Sequence, residues 1–241
     1  MKHFQRAVWL ALALALMMPL AAQAAPGVLD RAIELISVME SSANYGSVAN
    51  DANGSPSVGI LQWNNTRAVE LLKKIISDDA DAARSILGAK LYAELTEGDA
   101  YVWSEKELGD AQKKAVGRLL RTDAGIRRQD EQSLYDVLTY VNRGRSLGIV
   151  NPGALVYYAA ISHQVGIGGA RKYAAQAAEV AGGYEKIALE DLHAVGLAIG
   201  PNTRTRRNRV YESLLKKQAV DDGAPPESVQ IDVPEEQVLY L

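Results

Sequence analysis

The sequence predicts a mainly α-helical fold, a bundle of helices with one small β-hairpin. Apolar residues recur at intervals of three and four along most of the chain, which is the period of amphipathic helices. Residues 43–59 interrupt this pattern with glycine, proline, asparagine and serine, which favour turns and a short hairpin. The 241-residue chain has 48% hydrophobic residues and no cysteine, so we expect one domain whose apolar core needs no disulfide.

The first helix is expected over residues 28–40. Leu29, Ile33 and Ile36 recur there with the spacing i, i+4 and i+7. Glu40 follows at i+11 and shares their face. After the hairpin segment, the sequence "NNT" is typical of a helix start. The remaining helices are expected over residues 66–77, 79–95, 104–121, 123–143, 151–162, 166–181, 187–198 and 203–218.

The N-terminus has the pattern of a secretory signal peptide. The basic residues Lys2 and Arg6 precede the apolar stretch "AVWLALALALMMPLAA". The sequence "AQA" at 22–24 then supplies a small-x-small cleavage pattern. The stretch is shorter than the roughly 20 apolar residues of a membrane-spanning helix, so cleavage is preferred over an uncleaved anchor. We therefore expect residues 1–24 to direct export, to the periplasm or outside the cell.

The charge distribution separates the body of the protein from its C-terminal tail. The chain has a net charge of −3, and removal of the two positive signal residues leaves −5. Residues 219–241 carry six acidic residues and no basic one, so residues 25–218 carry about +1. A nucleic-acid-binding domain would be strongly basic, so we expect no nucleic-acid partner. We expect the tail to be flexible, and docking to a protein partner or a regulatory role stays open for it.

Glu40 stands where the first predicted helix gives way to the hairpin segment. Its face is apolar, so we expect the carboxyl to be partly shielded from water, and the negative end of the helix dipole is near. Both effects favour the protonated carboxyl, which a general acid requires near neutral pH. On periodicity alone, a helix-end residue whose side chain bends to solvent is the stronger alternative.

Two residues of the hairpin segment are further candidates. Asp51, in "NDANG", either caps a turn or provides a second carboxylate that positions water against a sugar ring. Gly59 lacks side-chain bulk, so an extended substrate could approach the backbone closely there.

Two motifs resemble the lysozyme superfamily, which includes lytic transglycosylases and goose-type lysozymes. "MES" followed by "SPSVGILQW" is similar to Glu-Ser, a spacer and Ser-x-Gly-apolar-apolar-Gln, in which the catalytic glutamate faces a small hairpin. About 120 residues later, "SHQVGIGGARKY" is similar to the transglycosylase pattern Ala-Tyr-Asn-x-Gly-x-Gly-x-small-x-Lys-Tyr. The resemblance covers roughly residues 28–218. It implies a lysozyme-like α+β catalytic domain over residues 25–218, with the hairpin beside a catalytic cleft.

The resemblance implies a role for each matching position of the first motif. Glu40 matches the catalytic acid, and Ser41 follows it as in the family. Ser57 matches the motif serine, and Gln62 matches the motif glutamine that lines the sugar cleft.

The second motif departs from the family at two substrate-binding positions. His163 stands at the family tyrosine, and Gln164 stands at the asparagine that contacts the substrate near the acid. Gln164 keeps an amide, whereas a hydrogen-bonded helix-end histidine is an alternative for His163. Tyr157 or Tyr158 could supply a ring that stacks on a sugar, with core packing as the alternative for either.

The resemblance implies cleavage of the MurNAc–GlcNAc glycan strand of peptidoglycan. Asp51 and Ser57 have the separation of the Asp and Thr in phage-type lysozymes, which favours hydrolysis by a water held between them. Transglycosylases lack that aspartate, and the substrate's own 6-hydroxyl attacks to form an anhydro sugar. A chitosanase and a non-catalytic wall- or sugar-binding component on a lysozyme scaffold remain the alternatives.

The last predicted helix starts with a cluster of arginines. They are either solvated or salt-bridged, or they form a cleft wall that contacts the anionic peptide stems of peptidoglycan. The cluster consists of Arg204, Arg206, Arg207 and Arg209. With three histidines, no cysteine and no His-x-x-x-His spacing, we expect no metal site and no cofactor.

Overall fold

The computed structural model describes residues 27–200 and 203–216. The predicted signal peptide (1–24) and acidic tail (219–241) lie outside the described residues. Within the described ranges, the protein is mainly helical and has one two-stranded sheet. The α-helices are α1 Val28–Ser41, α2 Asn65–Asp78, α3 Ala80–Thr96, α4 Ala100–Ser104, α5 Asp110–Leu120, α6 Asp123–Ser146, α7 Pro152–Ala181, α8 Leu189–Ile199 and α9 Arg204–Lys216. A short 3₁₀ helix spans Tyr184–Lys186.

The expected hairpin is present between α1 and α2. Strands β1 (Val48–Asn50) and β2 (Pro56–Val58) pair antiparallel, with Val48 opposite Val58. The chain then turns through residues 59–62, and Val58 pairs again with Trp63 through backbone hydrogen bonds of 2.8 and 2.9 Å. The prediction of a mainly α-helical fold with one small β element is therefore confirmed.

The single helix predicted over residues 104–121 is wrong. Its N-terminal part is divided between the short helix α4 and a non-helical segment, and α5 begins only at Asp110. The cause lies in the hairpin, where the Asn50 side chain both donates to the Leu108 carbonyl (3.1 Å) and accepts from the Leu108 amide (3.2 Å). Leu108 also buries its side chain in the core, at 1% exposure. Its amide and carbonyl are thus bonded to the hairpin instead of to a helix.

The two helices predicted over residues 151–162 and 166–181 run together as α7. Gly166, at φ +73° and ψ 162°, breaks the helical geometry between them without an intervening loop. A similar break that the sequence pattern did not predict occurs at Gly88 (φ +75°) within α3. A positive φ of this kind favours glycine because a Cβ would crowd the backbone.

Helix α7 runs through the core and packs against α1, α6 and α8. The turn after β2 is joined to this framework by Gln129 of α6, whose side chain is fully buried. Its Oε1 accepts from the Ile60 amide (2.9 Å), and its Nε2 donates to the carbonyls of Leu120 (2.9 Å) and Gly125 (3.1 Å). No helix within the described ranges is both long and apolar enough to cross a bilayer.

The turn after β2 should be unusually sensitive at Gly59. Gly59 has φ +78°, and an added Cβ would lie 2.5 Å from Gln129 Oε1 and 3.0 Å from the Trp63 ring. We expect Gly59→Ala to lower the free energy of unfolding, measured by urea titration, by more than Gly88→Ala does. The difference should be about 1–3 kcal/mol, the usual cost of overpacking.

Gly88→Ala is the matched control because Gly88 has a similar φ of +75° but nothing within 4 Å of the added Cβ. Alanine at position 88 therefore has the backbone strain of a positive φ without a steric clash of the added Cβ. Equal losses of stability in the two variants would contradict the packing described for the turn.

Candidate active-site cleft

A cleft of about 230 Å³ lies where the end of α1, the turn after β2 and the start of α2 meet α6, α7 and α9. It contains five of the residues singled out from the sequence, although they come from three distant parts of the chain. The cleft is lined by Glu40, Gln62, Trp63, Asn64, Arg67, Tyr140, His163, Gln164 and Arg206.

Glu40 occupies the last turn of α1, which ends where Ser42 adopts a left-handed conformation (φ 56°). Its side chain is only 14% exposed, as its position on an apolar helix face predicts. Arg206 of α9 donates to both carboxylate oxygens, with 3.4 Å between Nη1 and Oε2. His163 Nε2 lies 3.5 Å from Oε1. Glu40 therefore faces the cleft between a guanidinium and an imidazole and does not bend out to bulk solvent.

Ser41 supports the position of Glu40 and does not line the cleft. Its hydroxyl donates to the Ile60 carbonyl (2.8 Å) and accepts from the Asn44 amide (3.1 Å). The first contact joins the end of α1 to the turn after β2. The second holds the chain as it leaves the helix.

His163 is held in the cleft by a backbone contact. Its Nε2 lies 3.0 Å from the Leu61 carbonyl oxygen, which can only accept, so Nε2 carries the proton in the neutral ring. Burial lowers the pKa of His163, and the nearby charge of Glu40 opposes this effect. The ring also meets the Tyr140 ring edge-on, with 6.0 Å between centroids. His163 is thus a neutral residue of the cleft wall beside Glu40.

The two glutamines of the motifs both line the cleft. Gln62 has a positive φ of 54°, and its Nε2 donates to the Gly59 carbonyl (2.8 Å), which fixes the side chain against its own turn. Gln164 follows His163 on α7. Each supplies an amide group of the kind that binds hydroxyl or acetamido groups of sugars.

Asp51 and Ser57 are not among the residues that line the cleft. Asp51 Oδ1 accepts from the backbone amides of Asn53 (2.8 Å) and Ser55 (3.0 Å), so the side chain caps the hairpin turn. Ser57 lies in β2 opposite Ala49 and is 8% exposed. The structure gives Asp51 the turn-capping role and does not bring it together with Glu40 in the cleft.

Two further expectations are corrected. The prediction that Tyr158 could stack on a sugar is wrong, because its side chain is 0% exposed and lies in the core. Tyr157, at 1% exposure, is equally enclosed. The space beside Gly59 is occupied by Gln129 and Trp63, so the glycine is needed for internal packing and leaves no opening for a substrate.

The arginine cluster at the start of α9 divides between the two alternatives. Arg206 lines the cleft, as expected of a cleft wall. Arg207 is buried at 2% exposure, where it donates to Tyr173 and Thr203. Arg204 and Arg209 are exposed.

The sequence pattern missed a polar network behind the cleft, centred on Asp136 of α6. Asp136 is 3% exposed and accepts from Trp63 Nε1 (2.8 Å), from Gln132 Nε2 (3.0 Å) and from Arg67. Burial raises the pKa of Tyr140, and the charge of Asp136 adds to this effect. The helix predicted over residues 123–143 did carry a sequence signal for this network. Four polar or aromatic residues, all buried in the structure, recur there at the spacing i, i+4, i+7 and i+11. They are Gln129, Ser133, Asp136 and Tyr140.

The charges of the cleft limit its chemistry. Among the described lining residues, Glu40 supplies the one carboxylate, and Arg67 and Arg206 supply the cations. Residues 27–200 and 203–216 contain no group of three or more histidine, aspartate or glutamate side chains that could hold a metal ion. The arrangement suits proton transfer by a single carboxyl beside amide groups that can orient a polar ligand.

Comparison with protein-family models, with curated proteins and with solved structures finds no match to this chain. The lysozyme-like resemblance therefore rests on the two sequence motifs.

The buried, neutral state of His163 should appear in the pH dependence of stability. Its pKa in the folded protein lies below the usual value of 6.5, so the unfolded chain binds a proton at a higher pH than the folded protein does. The contribution to stability is therefore complete above about pH 6.5 and is lost as the pH falls. We expect the free energy of unfolding to fall between about pH 7 and pH 5, and to fall less in His163→Gln.

Glutamine at this position keeps an N–H that can donate to the Leu61 carbonyl and does not titrate. Comparison of the two proteins at pH 8, where both side chains are neutral, gives the packing cost of the substitution alone. The same pH slope in both proteins would contradict the account of His163.

Proposed function

We propose that this protein is an exported glycosidase that cleaves the MurNAc–GlcNAc strand of peptidoglycan by general acid catalysis, with Glu40 as the acid. In this proposal, residues 25–218 form a lysozyme-like catalytic domain, and residues 1–24 direct it to the periplasm or outside the cell. The reaction needs a partly desolvated carboxyl in a cleft with polar groups for the sugars.

One observation carries the proposal. Glu40 of the first family-like motif and His163 of the second lie 123 residues apart in sequence, yet their side chains are 3.5 Å apart. Gln62 and Gln164, one from each motif, line the same cleft. This convergence supports a shared role for the motifs, because helix propensity alone does not require it.

The proposed reaction begins with proton transfer from Glu40 to the glycosidic oxygen as the bond from that oxygen to the anomeric carbon breaks. The carboxylate left behind can then accept the proton of the hydroxyl that attacks the anomeric carbon. Arg206 donates to both oxygens of Glu40, so neither oxygen is free to carry the proton for the glycosidic oxygen. A productive substrate must therefore displace the Arg206 side chain, which is 32% exposed.

The attacking hydroxyl defines two candidate reactions. The spacing of Asp51 and Ser57 favours hydrolysis of the muramidase type. The described cleft, in contrast, contains no second carboxylate to activate water. This observation favours a second candidate, lytic transglycosylation, in which the 6-hydroxyl of the sugar attacks within the substrate. A chitosanase would instead cleave chitosan, and a non-catalytic component would bind muropeptides without turnover.

Substitution of Glu40 tests the acid. We expect Glu40→Gln to lower kcat/KM for purified cell wall by about 10²–10⁴-fold, because the glutamine side chain has no acidic proton that it can transfer to the glycosidic oxygen. Zymography and dye release from labelled wall measure the loss.

Glu179→Gln on the exposed side of α7 is the matched control, with the same charge change outside the cleft. Its activity should equal that of the wild type, and both variants should keep the wild-type circular dichroism spectrum. Clearing of the wall by Glu40→Gln at the wild-type rate would rule Glu40 out as the acid.

Product analysis separates the two reactions. Because Glu40 has no carboxylate opposite it in the described cleft, we expect mass spectrometry of the digest to show 1,6-anhydro muropeptides. Products with only reducing ends would show that water attacks, and Asp51→Asn would then show whether Asp51 assists. Cleavage of chitosan without release of muropeptides would point to the chitosanase.

A further inference from the structure

We propose that Arg67, held from behind by Asp136, binds a carboxylate of the substrate. The proposal rests on the proposed function, since it names a subsite of the same cleft. It would make the cleft selective for glycans with acidic substituents. Peptidoglycan carries such groups on its peptide stems, and on the lactyl ether of those MurNAc residues that have no stem.

The exposure of the two partners differs sharply. Asp136 is 3% exposed, whereas the Arg67 side chain is 38% exposed and lines the cleft. The carboxylate therefore lies behind the guanidinium, and Arg67 is the member of the pair that a ligand can reach. Trp63 and Gln132 donate to the same carboxylate, so the position of Asp136 is itself fixed.

Arg67 retains donors for a ligand. A guanidinium has five N–H groups in a planar fork that matches a carboxylate. Asp136 is bonded to Nη2, and Tyr140 lies close enough for one more contact. Because Asp136 already orients the fork, a ligand pays little for ordering the side chain.

Arg206 is a poorer candidate for this role. Its guanidinium contacts Glu40 and has to move away before a glycosidic oxygen reaches that carboxyl, so it is not held in place for a second carboxylate. Arg67 instead has its negative partner on the buried side. Arg67 is therefore the cation of the cleft best placed for an acidic group.

Binding of small ligands to the wild-type protein tests the proposal without turnover. Each ligand contains a single sugar and so has no bond between two sugars that the protein could cleave. The three probes are N-acetylglucosamine, which has no carboxylate, N-acetylmuramic acid, which has the lactyl carboxylate, and muramyl dipeptide, whose lactyl group is amidated and whose acid lies in the peptide. Isothermal titration calorimetry or NMR titration measures each Kd.

We expect at least one acidic probe to bind about tenfold more tightly than N-acetylglucosamine, and Arg67→Met to abolish that difference. Arg67→Lys keeps the charge without the fork and should retain part of it. Arg145→Met, an exposed arginine outside the cleft lining, should bind all three probes as the wild type does. The probe that gains affinity identifies the lactyl or the peptide carboxylate as the group bound.

Three results would overturn the proposal. They are equal affinities of the wild type for acidic and neutral probes, an unchanged preference in both Arg67 variants, and a loss of all three probes alike in Arg67→Lys. None of them depends on Glu40. A protein that fails to cleave wall but binds acidic probes through Arg67 would refute the catalytic proposal and leave this one standing.

Discussion

The cleft depends on how the turn after β2 is fixed to helix α6 by the buried Gln129. This single amide accepts from the Ile60 N–H and donates to two carbonyls of the α5–α6 junction. Loss of this side chain would remove the partner of the buried Ile60 amide, at a cost of about 1–3 kcal/mol, and a donor from both carbonyls. With Gln129 present, the turn after β2 is held so that the Ile60 carbonyl accepts from Ser41 and the Leu61 carbonyl accepts from His163. The end of α1 and the middle of α7 are thereby brought to one site.

Charge in the cleft is arranged in two pairs with different exposure. Glu40 and Arg206 pair across the opening between α1 and α9, at 14% and 32% side-chain exposure. Arg67 and Asp136 pair through the wall, and there the carboxylate is the buried member. When the Glu40–Arg206 pair separates, the Glu40 carboxyl becomes accessible to a ligand. The Arg67–Asp136 pair stays intact and leaves the Arg67 guanidinium accessible in the cleft. In the two proposals, catalysis and recognition of acidic groups belong to separate pairs within one cleft.

The parts of this structure that depend on local sequence were predictable. The face shared by Ile36 and Glu40 and the turn residues after Ser42 defined the end of α1 and the hairpin. Two of the failures come from contacts between distant segments, and the third comes from a local contact. Leu108 leaves the helical pattern because Asn50 bonds its amide and carbonyl, and neither residue reveals this alone. Arg67 follows the helix-start sequence "NNT" and was not singled out, because its role depends on Asp136, 69 residues later. Asp51 had the right spacing for catalysis, but its carboxylate caps the turn.

The role of Glu40 in the cleft can be tested by a crystal structure of Glu40→Gln with a tetrasaccharide of alternating GlcNAc and MurNAc. We expect the side chain at position 40 to lie about 3 Å from a glycosidic oxygen, the distance needed for proton transfer. We also expect that Arg206 has moved away from position 40 and that Gln62 and Gln164 contact the sugars. A glycan bound outside the cleft, or bound within it while Arg206 still covers position 40, would contradict the account.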